Sequence, residues 1–356
     1  MTKKLSVEAN MDNTEFISVI IPCRNEEKFI DRCLSSIVEQ DYPKDKLEVL
    51  VVDGISDDNT REIVARFCQT YPFIKLLDNP QKITPTALNI GIKRAKGEKI
   101  IRMDAHCTYK TDYISKCVSY SQKYNADHIG GVQVHLPFND TALAKSIALA
   151  TSHPFGVGNC YFRIGSKESK YVNAAYCGCF RKEVFDKIGL FDEELVRNQD
   201  DEFDFRIIKN GGKVMLAPEI VSYYYTRDTI RKLSVMYFQY GYFKPLVAKK
   251  LGDISSLRQI IPALFVGALT FAAALSLISK YFLYFFLTLA CLYVFTNFVF
   301  SLKLSIKKGL KFLPLLFVSF TTVHISYGLG CLKGILDFLV FRKNLKNKTI
   351  DMPLTR

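Results

Sequence analysis

Apolar residues in the first hundred positions come in short blocks that switch between two periods. Phe16-Ile-Ser-Val-Ile-Ile-Pro22 and Leu47-Glu-Val-Leu-Val-Val-Asp53 are β-branched runs closed by a proline and an aspartate, as in buried strands. Residues 73–77 and 98–103 repeat that signature. Between these runs the spacing lengthens to that of a helix. Phe29, Ile30, Cys33, Leu34 and Ile37 share one face, and so do Ile63, Val64 and Phe67. Ser56-Asp-Asp-Asn-Thr60 supplies cap residues, and Thr84-Pro85 opens a third helix that runs to Lys96. Strand and helix alternate four times with short connections, which predicts an α/β domain with a parallel sheet and helices on both faces.

The next segments predict a helix over 111–124, a strand over 127–134, a strand-like run over 172–180 and a short helix over 181–188. Residues 136–171 carry Pro137, Pro154, Gly156, Gly158 and Gly165 and read as a loop or short helix over a pocket. A last helix opens among Asp200, Asp201, Glu202 and Asp204 and ends at Asn210-Gly-Gly212.

From residue 259 onward the pattern is apolar. Stretches 260–279, 281–302 and 312–332 are long enough to cross the hydrocarbon core of a bilayer, and the first two carry no charge. Lys303, Lys307, Lys308 and Lys311 outweigh Lys280, which predicts that their loop and the N-terminal domain lie on the cytoplasmic side. A full third span would carry the basic tail outside, against that rule. Gly328, Gly330 and Gly334, with Lys333 and Asp337, suggest a broken or re-entrant segment instead. Residues 230–247 interleave Leu233, Met236, Tyr237, Tyr240 and Phe243 with Arg231, Lys232 and Lys244, a pattern that suits a surface-lying amphipathic helix. A helix packed on the domain accounts for the same pattern. The expected organisation is a disordered tail (1–15), an α/β domain (16–227), an interfacial segment (228–258), a transmembrane region (259–340) and a basic tail (341–356).

Composition narrows the partners. A net charge of +13 suits an anionic one. No zinc-finger spacing or basic-aromatic motif points to nucleic acid, which leaves phosphate and membrane. The 10 cysteines include no CxxC and read as reduced, buried thiols. The N-terminus has no apolar core of a signal peptide, so none is expected.

Ligands of parallel α/β sheets sit beyond the carboxyl ends of the strands. Arg24, Asn25 and Glu26 follow the first strand, Asp53 ends the second, and Asp104 and His106 follow the fourth. Residues i and i+2 of an extended backbone face the same way, so Asp104 and His106 can converge on Mg²⁺ or Mn²⁺. Neither GxGxxG nor a Walker loop is present, which favours a metal for gripping phosphate. Turn-forming aspartates and a solvated arginine are the bland account of the same residues. The acids at 200–204 exceed what helix-dipole capping needs, and a carboxylate there would serve as a general base.

Taken in order, Ser18-Val-Ile-Ile-Pro-Cys-Arg-Asn-Glu26, Val51-Val-Asp-Gly-Ile-Ser-Asp-Asp-Asn-Thr60, Ala87-Leu-Asn-Ile-Gly91, Arg102-Met-Asp-Ala-His106, Gly178-Cys-Phe-Arg181, Gly189-Leu-Phe-Asp192 and Gln199-Asp200 are similar to the motifs of a known family. Residues 16–243 resemble the family 2 glycosyltransferases of GT-A fold, in the bacterial exopolysaccharide branch similar to succinoglycan glucosyltransferases. The resemblance implies a Rossmann-like, mostly parallel nucleotide-diphospho-sugar transferase sheet followed by membrane helices. It implies a nucleotide-diphosphate sugar donor held by Pro22, Arg24, Asn25, Glu26, Asp53, Asn89, Arg102 and Asp104, with Asp53 on the base. Asp104 and His106 would hold Mn²⁺ or Mg²⁺, and Asp200 would be the catalytic base. Gly178, Asp201, Gln239 and Tyr242 would lie on the acceptor side. Lys82 is a further phosphate contact or a solvated surface lysine.

Three positions depart from the family pattern. His106 stands for the second aspartate of DxD, and Gln199 for the glutamate before the base. Gln239-Tyr-Gly-Tyr-Phe243 lacks the Arg-Trp of processive synthases, which implies transfer of a single sugar. The expected function is membrane-anchored, inverting transfer from a UDP-sugar to a polyprenyl-linked or growing surface glycan, at the cytoplasmic face of a bacterial inner membrane. The alternatives are polyprenyl phosphate itself as acceptor, or a catalytically inactive membrane scaffold.

Overall fold

The computed structural model describes residues 15–253 and 259–343. The expected tail up to residue 14, residues 254–258 of the interfacial segment and the basic tail from 344 lie outside the described residues.

Nine strands join one sheet among the described residues: Ile17–Cys23 (β1), Leu47–Asp53 (β2), Ile74–Asp78 (β3), Lys99–Arg102 (β4), Cys107–Tyr109 (β5), His128–Leu136 (β6), Lys170–Tyr171 (β7), Gly178–Arg181 (β8) and Val214–Tyr225 (β9). Their order is β3-β2-β1-β4-β8-β6-β9-β5, with β7 also on β9. β1 to β4 are parallel, as the alternating pattern predicts. Chain order reverses between β1 and β4, so this is the switch point at which such sheets bind ligands. Arg24 and Asp104 each lie just past one of the two strands.

The second half of the sheet is mixed. β8 runs antiparallel to β4 and β6, while β9 is parallel to β6 and antiparallel to β5. Within the expected run 172–180 only Gly178 onward is strand, because Cys177 and Gly178 both take positive φ and turn the chain into the sheet. Residues 136–171 hold a helix, Ala142–Thr151, followed by the short helices Pro154–Val157 and Tyr161–Ile164. The Thr141 hydroxyl caps the first of these by accepting from the Ala144 N–H at 3.2 Å.

Side chains of β1 alternate between two cores, as a strand covered on both faces requires. Val19 and Ile21 pack with Ile30, Leu34 and Ile37 of the helix Ile30–Val38. Ile20 packs with Leu88 and Ile92 of the helix Thr84–Arg94, in a cluster that includes Phe180, Phe191 and Phe203.

The helix Ile230–Leu251 joins the sheet domain to the apolar end. Its Leu233, Met236 and Tyr237 pack with Ile147 and Val323, and its Tyr242, Phe243 and Leu246 pack with Leu195 and Phe338. These six apolar residues of the helix are thus buried against the rest of the protein, as in a helix packed on the domain. The helix Leu313–Gly334 crosses Ile230–Leu251 closely, passes Gly328 and Gly330 without a break and changes after Gly334 to a π-helical stretch, Ile335–Val340, that holds Asp337. A Cβ on Gly330 would sit 2.1 Å from the Phe238 carbonyl oxygen, and one on Gly241 2.0 Å from that of Tyr327. The glycines thus serve close helix packing.

Two described helical stretches, Lys280–Lys308 and Leu310–Val340, are long and apolar enough to cross a membrane by length and composition. The helix Ile261–Leu275 has only 15 residues. Buried Asn297 ties Lys280–Lys308 to its neighbour, donating to the Phe317 carbonyl at 3.1 Å and to the Thr321 hydroxyl at 2.9 Å.

Candidate active site

A cavity of about 680 Å³ opens at the switch point and extends to the apolar helices. Of the residues the motifs single out, Pro22, Arg24, Glu26, Arg102, Asp104, His106, Asp200 and Asp201 all line it, and so does Lys82. Residues a hundred positions apart in sequence thus share one wall.

Asp104 is buried and tied on both oxygens. Arg102 Nε donates to Oδ1 at 3.2 Å, and the Tyr176 hydroxyl donates to Oδ2 at 2.6 Å. Burial would raise this carboxyl. The Arg102 guanidinium, His106 and the Tyr176 hydroxyl outweigh it and hold the pKa at about 2, so the carboxylate is charged. The reciprocal effect of Asp104 keeps buried Arg102 protonated. His106 Nδ1 lies 3.1 Å from Glu26 Oε1, a carboxylate–imidazole contact of the kind that orients a metal-ligating histidine. A carboxylate oxygen and an imidazole nitrogen are both donors that a divalent ion such as Mn²⁺ accepts. Among the described residues no group of three or more His, Cys, Asp or Glu could hold a metal by itself.

Asp200 stands at the start of the helix Gln199–Lys209, whose preceding residue Asn198 takes φ +62°. The four acids there divide their work. Asp200 and Asp201 face the cavity, and Asp201 is ion-paired with Lys244. Glu202 receives Arg206 at 2.7 and 2.8 Å, while Arg206 also donates to the carbonyls of Ile188 and Leu190. Asp204 Oδ1 lies 2.6 Å from His128 Nδ1 on β6, and its Oδ2 accepts from the Ala175 N–H at 2.8 Å. Asp204 thus bolts the helix to the sheet, and Glu202, through Arg206, ties it to the segment around Ile188 and Leu190, which leaves Asp200 and Asp201 for the cavity.

Six other singled-out residues do not line the cavity. Asp53 is fully buried, accepting from the Ser56 N–H at 2.9 Å and from Arg61 at 2.8 Å. Asn25 holds the turn after β1 with φ +55°, its N–H donating to the Ser56 hydroxyl. The Asn89 amide clamps the Phe191 backbone in both directions and donates to Glu193. At Gly178 a Cβ would lie 2.1 Å from the Ile129 carbonyl oxygen, so the position demands glycine. Gln239 accepts from Arg197 Nε at 3.2 Å, and the Tyr242 hydroxyl donates to Asp337 at 2.7 Å. Conversely, Tyr176, Arg163 and Arg227 line the cavity without having been singled out, and so do Tyr240 and Lys244, which were read only as part of an interfacial helix. Arg163 carried the one usable signal, a cation behind Tyr161-Phe162 in a glycine-rich stretch.

The Glycosyl transferase family 2 model matches residues 18–189, a span that takes in Asp53, Asp104 and His106 and ends before Asp200. A dolichyl N-acetyl-alpha-D-glucosaminyl phosphate 3-beta-D-2,3-diacetamido-2,3-dideoxy-beta-D-glucuronosyltransferase of Methanococcus voltae is 32% identical over 243 residues, covering 66% of this chain and 74% of that protein. The succinoglycan biosynthesis protein ExoA of Rhizobium meliloti is 26% identical over 322 residues, covering 90% and 95%. Among solved structures, the mannosyltransferase PcManGT of Pyrobaculum calidifontis, in complex with GDP-Man and Mn2+, superimposes with a TM-score of 0.59 at 20% identity. That superposition covers 92% of this chain and 88% of that one, and it supports the fold alone. With the GT-A arrangement of the sheet and a relative of this similarity, the chain belongs to glycosyltransferase family 2.

Proposed function

We propose that this chain is a membrane-anchored, inverting transferase that moves one sugar from a nucleotide-diphosphate sugar, most simply a UDP-sugar, to a lipid-linked or growing surface glycan. One observation carries the reading: the cavity that Asp104 and Asp200 share is also walled by Phe265, Tyr293 and Val323 of the apolar helices. A site open to both kinds of surface suits a water-soluble donor and an acceptor delivered by lipid. The relatives agree in kind, since one is named for a dolichyl phosphate-linked substrate and another for succinoglycan biosynthesis.

In this reading Asp104 and His106 hold Mn²⁺ or Mg²⁺, with Glu26 orienting the imidazole. Such an ion, when bound, supplies positive charge against the departing diphosphate. Arg102 and Arg24 add cationic groups to the cavity lining, and Asp53, paired with Arg61, ends β2 outside that lining. Asp200 takes the proton from the attacking acceptor hydroxyl on the face opposite the leaving group, which inverts the anomeric centre. The helices Lys280–Lys308 and Leu313–Gly334 anchor the chain, with the sheet domain on the cytoplasmic face. Tyr281, Leu292 and Phe295 of the first of these helices are more than half exposed and suit lipid contact.

The test is transfer by the full chain in detergent. Labelled UDP- and GDP-sugars are offered with Mn²⁺ to polyprenyl diphosphate-linked oligosaccharides, and the product linkage is read by proton coupling. Absence of both nucleotide binding and transfer across the panel would sink the reading. A product that keeps the donor's configuration would remove the inverting step alone.

A further inference from the structure

Arg163 has no role in the chemistry described so far, yet it lines the same cavity. It sits in the short helix Tyr161–Ile164. Contacts connect it both to the acidic end of the site and to the apolar one. Toward the acid, its guanidinium lies 5.4 Å from the ring centre of Phe162. That ring stacks on Tyr176 at 5.6 Å, and Tyr176 donates to Asp104. Toward the apolar helices, Arg163 Nη1 donates to the Tyr237 hydroxyl at 3.0 Å. Tyr237 packs in one cluster with Val323. The ring of Tyr240 lies 5.7 Å from the guanidinium. Arg163 therefore stands at the junction between the polar and apolar parts of the cavity.

Its charge is unmatched. Among the described residues no carboxylate pairs with Arg163, and its Nε, shut off from solvent, has no hydrogen-bond partner. Aromatic faces and one phenol hold a guanidinium in place, but they do not neutralise it. An arginine fork fixed by rings and lacking an acid matches a phosphate that arrives with a ligand. Arg102 is already committed to Asp104.

We infer that Arg163 binds the phosphate or diphosphate that joins a prenyl chain to the acceptor glycan, with the first prenyl units against Phe155, Phe265 and Val323. The inference rests on the lipid-linked acceptor proposed above and names the group that recognises it. The sugar end of such an acceptor would then point along the cavity toward Asp200.

Calorimetric titration of the full chain in detergent micelles tests this, with farnesyl diphosphate as probe and farnesol as its phosphate-free control. Mn²⁺ and whichever of UDP or GDP binds are kept saturating, so that the donor half is filled. Wild type is expected to bind farnesyl diphosphate, and Arg163→Gln to bind it at least about tenfold more weakly with farnesol and nucleotide affinities unchanged. Arg163→Lys, which keeps the charge, should fall between them, and it carries the test if the glutamine variant fails to fold by thermal melting. Equal binding by wild type and a folded variant would overturn the inference. So would displacement of farnesyl diphosphate by the nucleotide, or a loss of nucleotide affinity in a folded variant, because either outcome assigns Arg163 to the donor. Nucleotide binding without any farnesyl diphosphate binding removes this site only, whereas loss of both in wild type takes the proposed function with it.

Discussion

The Tyr176 hydroxyl donates to Asp104 Oδ2 at 2.6 Å across 72 residues of sequence. Tyr176 belongs to the segment entering β8, which is antiparallel to β4. The antiparallel pairing is what brings the phenol over the carboxylate that follows β4. The hydrogen bond sets the carboxylate's orientation, and Arg102 fixes the other oxygen.

Tyr176→Phe should therefore leave the fold intact and weaken metal-dependent donor binding. Partners of this kind typically alter metal affinity by about 10-fold or more. The measurement is the Mn²⁺ concentration that gives half-maximal nucleotide binding. A variant with unchanged or tighter Mn²⁺ dependence would show that the hydroxyl only fills space beside Asp104.

Asp200→Asn keeps the shape of the side chain and removes its basicity. Transfer should fall by roughly 10²–10⁴-fold, the usual range for losing a general base, while donor affinity stays the same. Single-turnover kinetics beside nucleotide titration separates the two. Full activity in this variant would favour polyprenyl phosphate as acceptor, since an anionic nucleophile needs no base.

The parallel half of the sheet and the residues at its edge were legible because their signals are local. A β-branched run ending in aspartate identifies both a strand and its carboxyl end. β9 was not legible, for it carries Pro218-Glu219 within its length, and proline argues against a strand interior. The structure accommodates the pair where the β6–β9 register slips between Gly130 and Val132. Asn89 follows the motif pattern, but its clamp on Phe191 spans 102 residues, which no local period announces. Arg163 and Tyr176 were obscured for the same reason. Their segment has little periodicity, and only the folded sheet shows that they meet Asp104 and the apolar helices in one cavity.

Gly330→Ala tests the packing between the sheet-side helix and the apolar end. The added methyl would sit 2.1 Å from a backbone oxygen, so the helices must separate. Overpacking of this kind costs about 1–3 kcal/mol and should lower the thermal midpoint in detergent. Gly267→Ala is the matched control, because its methyl would meet only the Leu332 side chain at 3.5 Å, an ordinary contact. Equal midpoints for the two variants would show that the crossing is softer than its geometry implies.

His135 makes acid sensitivity of folding testable away from the proposed metal ligands. Its ring nitrogens lie 2.8 Å from the Thr151 hydroxyl and 2.9 Å from Gln133 Oε1. Burial, and then the nearby Arg163 charge, hold its pKa well below the ordinary value of 6.5. The folded chain thus keeps the imidazole neutral where the unfolded chain takes up a proton. Stability from this group is complete above about pH 6.5 and is lost as the pH falls toward the depressed folded value, by up to about 1.4 kcal/mol per pH unit. His135→Gln removes the titrating group and should flatten the fall in thermal midpoint below pH 6.5 relative to wild type. Parallel curves for the two proteins would assign the acid loss to other groups.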